Sequence, residues 1–358
     1  MSFEKEFTAP AFFPISGKVS WASPSNIALV KYWGKYGQQF PQNPSLSFTL
    51  SNCVTTTSLA FVPKENSNGF SFSFLFEGEK APAFHPKMEA FFERIVDYCP
   101  YLLQHELTID SSNSFPHSSG IASSASSMSA LALAVLSIEQ LAGGLTDAEL
   151  FNKKASFLAR LGSGSAARSI QGPLMSWGKT SAIAGSSQSF GSVIQENIHP
   201  VFTTYQDTIL IIDKGQKKVS STLGHQLMEN HPYAKTRFEQ AHQHVERLLH
   251  IMAEGNLDDF ISLVELEALT LHALMMASNP YFVLMQPNTL AVLNKLWDFR
   301  ADTKLPLCFT LDAGANVHLL YPETHKAAIL SFIKTELVSL CENGQYIEDQ
   351  VGAGAKKL

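Results

Sequence analysis

Phe115-Pro-His-Ser-Ser-Gly-Ile-Ala-Ser-Ser-Ala-Ser-Ser127 is the stretch on which the reading of this chain turns. It stands between Glu106 to Asp110, which reads as a strand, and the Ala/Leu-rich run Met128 to Leu141, which reads as a helix. Small residues let a backbone wrap an anion. The unpaired N–H groups and positive dipole end of a helix start favour phosphate, and serine hydroxyls add donors or metal ligands without blocking approach. By composition the tract also fits a flexible linker, or a helix whose small residues allow close packing. Its fusion to the start of so apolar a helix favours phosphate, with His117 as a further candidate contact.

Outward from this tract, strands and helices alternate. Val54 to Val62 and Phe70 to Phe76 are rich in Thr, Val and Phe and predict strands, and Lys87 to Tyr98 predicts a helix. Thr146 with Glu149 forms a capping box opening a helix towards Arg160. Ala182 to Asn197 is Ser/Gly-rich and precedes an apolar strand, Thr208 to Asp213, so a domain boundary is expected near 195 to 205, dividing the chain into 1–200 and 201–358. Helices are expected over Pro232 to Glu254, Leu257 to Met276 and Thr289 to Phe299. Two short strands flank the turn Asp312-Ala-Gly-Ala-Asn316, and a helix from Pro322 to Leu337 nearly closes the chain. The fold class is α+β.

Composition removes whole classes of function. At 358 residues, 45% hydrophobic and 16% charged, the chain has length for a large core and too little charge for disorder. With 26 Lys+Arg against 32 Asp+Glu and no dense basic run, it lacks the footprint of a nucleic-acid binder. Cys53, Cys99, Cys308 and Cys341 are far apart and without zinc spacing, which suits a reducing compartment. No basic leader precedes an apolar stretch, and the run Ala130 to Ile138 is short of a membrane span. The expectation is a cytoplasmic chain with neither membrane nor nucleic acid as partner.

Two decoys are set aside. Gly172 to Thr180 ends in Gly-Lys-Thr but holds five residues between its glycines where a Walker loop has four, and Leu-Met-Ser-Trp within it reads as a strand. Gly162-Ser-Gly-Ser-Ala-Ala167 fits a loose dinucleotide fingerprint, yet it follows a helix and no acidic residue lies about 20 positions on. The nucleophile-elbow pattern is absent. In Ser25-Asn-Ile-Ala-Leu-Val-Lys-Tyr-Trp-Gly-Lys35 an apolar strand runs into two lysines and two aromatics, a place for a polyanion or simply a solvated edge. Arg168 could grip a carboxylate with two parallel hydrogen bonds or lie on the surface. Asp312 could orient or deprotonate a hydroxyl or merely form a turn. His242 and His244, two apart on a helix, cannot chelate together and read as surface residues.

Taken together, Asn26-Ile-Ala-Leu-Val-Lys-Tyr-Trp-Gly-Lys35, Asn43-Pro-Ser-Leu-Ser-Phe-Thr-Leu50, Phe115 to Ala125, Ala159-Arg-Leu-Gly-Ser-Gly-Ser-Ala-Ala-Arg-Ser169, Val219-Ser-Ser-Thr222 and Asp312-Ala-Gly-Ala-Asn316 resemble, in order, the motifs of the diphosphomevalonate decarboxylase family within the GHMP small-molecule kinase superfamily. The resemblance implies a GHMP kinase fold, with an N-terminal ribosomal-protein-like α+β domain, a C-terminal ferredoxin-like α/β sandwich and a cleft between them. It implies a homodimer. It also implies ATP with Mg2+ as cofactors and mevalonate 5-diphosphate as substrate, phosphorylated on its tertiary 3-hydroxyl before phosphate and carbon dioxide leave to give isopentenyl diphosphate. On this resemblance Asp312 is the catalytic carboxylate, Lys31 the cation beside it and Arg168 the grip on the substrate carboxylate. Asn26, Tyr32, Lys35, Ser165 and Ser220 or Ser221 are substrate contacts, while Ser118, Ser119, Gly120, Ser123, Ser124, Ser126 and Ser127 wrap the nucleotide phosphates.

The chain departs from the family at Pro44, Ala315 and Ala167, where Ser, Pro and Cys are usual. More consequential, Ser71 to Phe76 has no basic residue where many relatives carry an arginine for the diphosphate; Lys80, or Lys217 with Lys218, are candidate replacements. Mevalonate 5-phosphate decarboxylation and 3-phosphorylation without decarboxylation therefore stay open. So does a catalytically inactive ligand-binding regulator, against which Asp312, Lys31 and Arg168 together argue.

Overall fold

The computed structural model describes residues 3–65, 69–116, 121–194, 197–214 and 221–358. The readings placed on His117, Ser118, Ser119, Gly120, Lys217, Lys218 and Ser220 lie outside these residues, as do the side chains of Ser221 and Thr222. The chain opens with β1 (Gly17–Val30), a short hairpin β2 (Lys35–Tyr36) and β3 (Phe40–Pro41), and the long β4 (Ser45–Pro63). Then come β5 (Ser71–Phe76), β6 (Glu79–Lys80), α1 (His85–Ile95), β7 (His105–Asn113), α2 (Ser123–Leu141), α3 (Ala148–Gly162), β8 (Leu174–Trp177) and β9 (Ser192–Val193). The remainder is β10 (Gln206–Leu210), α4 (Ser221–Gln226), α5 (Ala234–Glu254), α6 (Leu257–Met276), α7 (Pro287–Thr303), β11 (Cys308–Thr310), β12 (Val317–Tyr321), α8 (Lys326–Phe332), β13 (Tyr346–Gln350) and β14 (Lys356–Lys357).

The first sheet has the order β14-β1-β4-β7-β5-β6, with β8 and β9 continuing from β4. Among the described residues only β5 and β7 pair in parallel, and α1 supplies the crossover that parallel strands require. Helix α2 is buried on nearly every side, which is why its sequence has no polar stripe and why a helix long and apolar enough to cross a membrane serves here as a core helix. Leu131, Val135 and Ile138 pack with Phe91 and Phe92 of α1, Phe157 and Leu161 of α3, and Leu59 and Ile109 of the sheet.

The second sheet is antiparallel, ordered β11-β12-β10-β13. One face, carrying Leu210, Phe309 and Leu319, packs on Val292 and Leu296 of α7 and Ile329 of α8. The other face, with Ile209, Ile211 and Leu320, shares a cluster with Val245 and Leu248 of α5, Val264 of α6, and Ile27, Leu29, Leu46 and Phe48 of the first sheet. This common core fixes the second half of the chain against the inner ends of β1 and β4. Strand β1 shows the effect in its burial: Ser23 to Val30 are all buried, because both faces are covered.

Several expectations shift. The cap of α3 is Asp147, whose side chain accepts from Leu150 N–H at 2.6 Å, rather than Thr146; a carboxylate one residue later captures the same orphan donors. The expected helix Pro322 to Leu337 is a short 3-10 turn, α8 and a wider turn over Ile333–Leu337. Beyond that helix the sequence carries no expectation; Tyr346–Gln350 forms β13, a half-exposed strand at a sheet edge. His244 is buried, not on the surface.

Asp349 of β13 staples the halves together. Its carboxylate accepts from the N–H groups of Ser51, Asn52 and Cys53 at 2.9, 2.8 and 2.7 Å, where β4 bends. Removing an acceptor from several backbone donors leaves them without a partner. Asp349→Ala is expected to lower stability by about 2–4 kcal/mol, and Asp349→Asn by less, as read from the shift of the urea unfolding midpoint.

Candidate active site

The site begins where β1 leaves the sheet. Two register irregularities, between Pro24 and Asn26 and between Ala28 and Val30, bend the strand as it reaches Lys31. Lys31 is only 2% exposed, and its Nζ donates to Asp312 Oδ1 at 3.1 Å. Burial pushes the Lys31 ammonium below its ordinary range, while Asp312 and Glu267 draw it back up. The chain turns at Gly34, φ +91°, a conformation that side chains with a Cβ rarely adopt; its N–H donates to His225 Nδ1 at 3.0 Å.

Arg168 arrives from the opposite direction, at the end of a 3-10 turn, Gly164–Arg168, between α3 and β8. Asn26 Nδ2 ties that turn to β1 by donating to the Ser165 carbonyl at 3.2 Å and to Ser169 Oγ at 2.8 Å. Arg168 is 3% exposed, yet its Nε and Nη1 have no hydrogen-bond partner among the described residues. Burial draws its pKa down to about 10, against the pull of Asp312 and Tyr32, so the guanidinium stays charged at neutral pH. Gly164 is required for closeness here: a Cβ would meet the Trp177 ring at 2.8 Å and the Tyr32 hydroxyl at 2.9 Å.

These groups line one cleft of about 330 Å³. Of the residues singled out in the sequence, Asn26, Lys31, Tyr32, Lys35, Ser123, Ser124, Ser165, Arg168 and Asp312 reach it. Lys35 is half-buried and donates to Gln39 Oε1 at 3.0 Å. The amino end of α2 opens into the cleft through Ala122, Ser123 and Ser124, offering first-turn N–H groups and the positive dipole end. That is a fitting seat for nucleotide phosphates, with the Ser123 and Ser124 hydroxyls as donors or magnesium ligands. Two serines of the tract point elsewhere: Ser126 is buried and shares a 2.6 Å bond with Thr55 Oγ1, and Ser127 Oγ turns back to the Ser123 carbonyl at 2.7 Å.

Sequence reasoning passed over several lining residues. His225 on α4 packs at a tilt against the rings of Tyr32 and Trp33, with centroids 4.3 and 4.7 Å away. Lys87 of α1 and Gln39 of the hairpin complete the wall beside Lys35. His272 Nε2 donates to the Asp312 carbonyl at 3.1 Å and steadies that loop. No local motif announces these contacts. The usable signal was a histidine in the apolar run of α6.

The diphosphomevalonate decarboxylase-like N-terminal domain matches residues 23–190, and the mevalonate 5-diphosphate decarboxylase C-terminal domain matches residues 208–355. This chain belongs to the diphosphomevalonate decarboxylase-like family. The family's members are ATP-dependent decarboxylases of the mevalonate pathway with a GHMP-type α+β fold. The diphosphomevalonate decarboxylase of Candida albicans is 26% identical over 326 residues, spanning 88% of this chain and 87% of that one. The phosphomevalonate decarboxylase of Haloferax volcanii is 25% identical over 301 residues, spanning 83% and 86%. The solved structure of MDDEF in complex with MVAPP, AMPPCP and magnesium superposes with a TM-score of 0.81 at 26% identity, covering 96% of this chain and 99% of that one.

Within this decarboxylase fold the two site histidines are neutral. Burial lowers His225 from 6.5 to about 3, with Lys35 adding to the effect, and lowers His272 to about 4. Between pH 6.5 and 4 the unfolded chain therefore binds protons that the folded one does not, so protonation favours unfolding and stability falls as pH drops through that window. His225→Gln is expected to flatten this fall, measured by urea denaturation at a series of pH values.

Proposed function

We propose that this chain decarboxylates mevalonate 5-diphosphate at the expense of ATP, releasing isopentenyl diphosphate, ADP, phosphate and carbon dioxide. The observation that carries the reading is Arg168: a charged guanidinium buried in the cleft wall with two N–H donors that meet no acceptor among the described residues, beside the Lys31–Asp312 pair. A substrate carboxylate satisfies those donors with two parallel bonds.

Magnesium-bound ATP supplies the phosphoryl group that turns the tertiary hydroxyl into a leaving group. Asp312 orients that hydroxyl and takes its proton as the oxygen bonds to phosphorus, since a carboxylate is too weak a base to ionise a tertiary alcohol beforehand. Lys31 keeps Asp312 ionised and offsets negative charge on the transferring group. Arg168 holds the carboxylate in line with the carbon–oxygen bond to phosphate. As that bond breaks, the electron pair of the carbon–carboxylate bond becomes the new double bond and carbon dioxide departs. Tyr32, whose phenol burial keeps protonated, and Ser165 line the path of the substrate.

Two observations favour a second reading, the 5-monophosphate: β5 carries no cation, and a phosphomevalonate decarboxylase is among the relatives. Supporting the diphosphate, Lys35 and Lys87 both line the cleft. Lys80 is exposed on β6 and is not part of that wall.

Purified protein with ATP and magnesium is expected to release carbon dioxide and ADP from the diphosphate faster than from the monophosphate in a coupled assay. Asp312→Asn is expected to lower kcat on the order of 10³-fold while nucleotide affinity holds. Lys87→Gln should raise KM for the diphosphate more than for the monophosphate. A preference for the monophosphate in the unaltered protein would move the assignment to the second reading, and full activity in Asp312→Asn would remove Asp312 from the mechanism.

A further inference from the structure

We propose that Glu267 is a positioning residue for Lys31, setting both the path of its backbone and the charge on its side chain from behind the cleft wall. Only the kinetic readout of this proposal rests on the decarboxylase reading.

Glu267 lies on α6 and is fully buried. Its Oε2 accepts from the Lys31 N–H at 2.8 Å and from Arg237 Nη2 at 2.6 Å. Its Oε1 accepts from Arg237 Nη1 at 2.7 Å and from His244 Nδ1. Arg237 Nη2 also donates to the Lys31 carbonyl at 3.0 Å, and Asn43 Nδ2 donates to that same oxygen at 3.0 Å. The peptide groups on both sides of Lys31 are therefore gripped by side chains, two of the three contacts coming from α5 and α6 in the second half of the chain.

A packing role alone does not call for this arrangement. A carboxylate enclosed in an apolar helix face is expensive to bury, and one arginine would neutralise it. Here the carboxylate instead spends one oxygen lone pair on the backbone N–H of the lysine that contacts Asp312, and its charge acts on the Lys31 ammonium between two buried residues. The charged groups facing Lys31 are Asp312 from the loop after β11, Glu267 from α6 and Arg168 from the 3-10 turn; Asp207 of β10 and His272 of α6 stand further off. Burial and Arg168 push the ammonium towards losing its proton, and the two nearer carboxylates oppose them. Glu267 can do so because it stays ionised: burial would raise its pKa, but the bonds from His244, Arg237 and the Lys31 N–H outweigh that and hold it below the ordinary carboxylate range.

Glu267→Gln keeps the volume and an acceptor for the Lys31 N–H while removing the charge. In protein labelled with [13Cε]lysine, the Lys31 signal, assigned by its loss in Lys31→Arg, is expected to titrate about one pH unit lower in Glu267→Gln than in the unaltered protein, without nucleotide or substrate. The alkaline limb of the kcat profile should move down by the same amount, with KM for ATP changed less than twofold. Glu267→Asp, which restores the charge, should return the titration towards its original position. Should Glu267→Gln not fold, Asp312→Asn carries the test: with Glu267 intact, Lys31 should remain charged at pH 7. An unmoved Lys31 titration in Glu267→Gln, or a neutral Lys31 in Asp312→Asn, overturns the proposal whether or not the enzyme is active. Absence of decarboxylation in the unaltered protein would instead count against the functional reading and leave this titration standing.

Discussion

Two cations buried in one wall of a cleft are the constraint around which this molecule is arranged. An ammonium or guanidinium taken out of water must find negative charge or lose its proton, and the loss of hydration amounts to several kcal/mol per ion. Lys31 finds Asp312 at 3.1 Å, across 281 positions of sequence. Arg168 finds only part of what it needs, with Nε and Nη1 left over. The two halves of the chain can satisfy Lys31 only when docked as they are, so the ion pair and the docking support each other. The unfilled donors of Arg168 are then the natural seat of an anionic ligand.

Docking itself is mainly apolar. Ile27, Leu29, Leu46 and Phe48 on the first sheet share a core with Ile209, Ile211 and Leu320 on the second and with Val245 and Leu248 of α5. Nondirectional burial of this kind sets the distance between the halves, and the directional contacts of Asp349 and Glu267 set their register. Hence the cleft has one rigid wall, made from β1, the turn around Arg168 and the amino end of α2, and a second wall delivered by α4, α6 and the loop carrying Asp312. Such a division suits a reaction in which a phosphoryl donor and its acceptor have to be brought into line before any bond changes.

Much of this was legible locally. Helix α6 runs over Leu257–Met276, the span expected from its apolar periodicity. Helix α3 was legible in kind but not in cap, because Thr146 and Asp147 offer the same chemistry one residue apart. The serine tract shows where local reading stops. Composition treats Ser123, Ser124, Ser126 and Ser127 alike, but only Ser123 and Ser124, at the very start of α2, line the cleft; Ser126 turns into the sheet, and Ser127, on the face of Ser123 but a turn further along, bonds back to the Ser123 carbonyl. His244 was misjudged for a related reason. Its spacing from His242 excludes chelation, but spacing says nothing of Glu267 on the neighbouring helix.

What the sequence determined by itself was whatever depends on neighbours within about a turn or a strand: the period of each apolar run, the glycines where the chain must bend, and the order of motifs that marks the family. Tertiary structure alone decided which charges meet, since Lys31 lies 236 positions from Glu267 and 281 from Asp312 and the strength of their interaction depends on distance and on burial. No pattern along the chain encodes either quantity. Both arise only when the shared core closes.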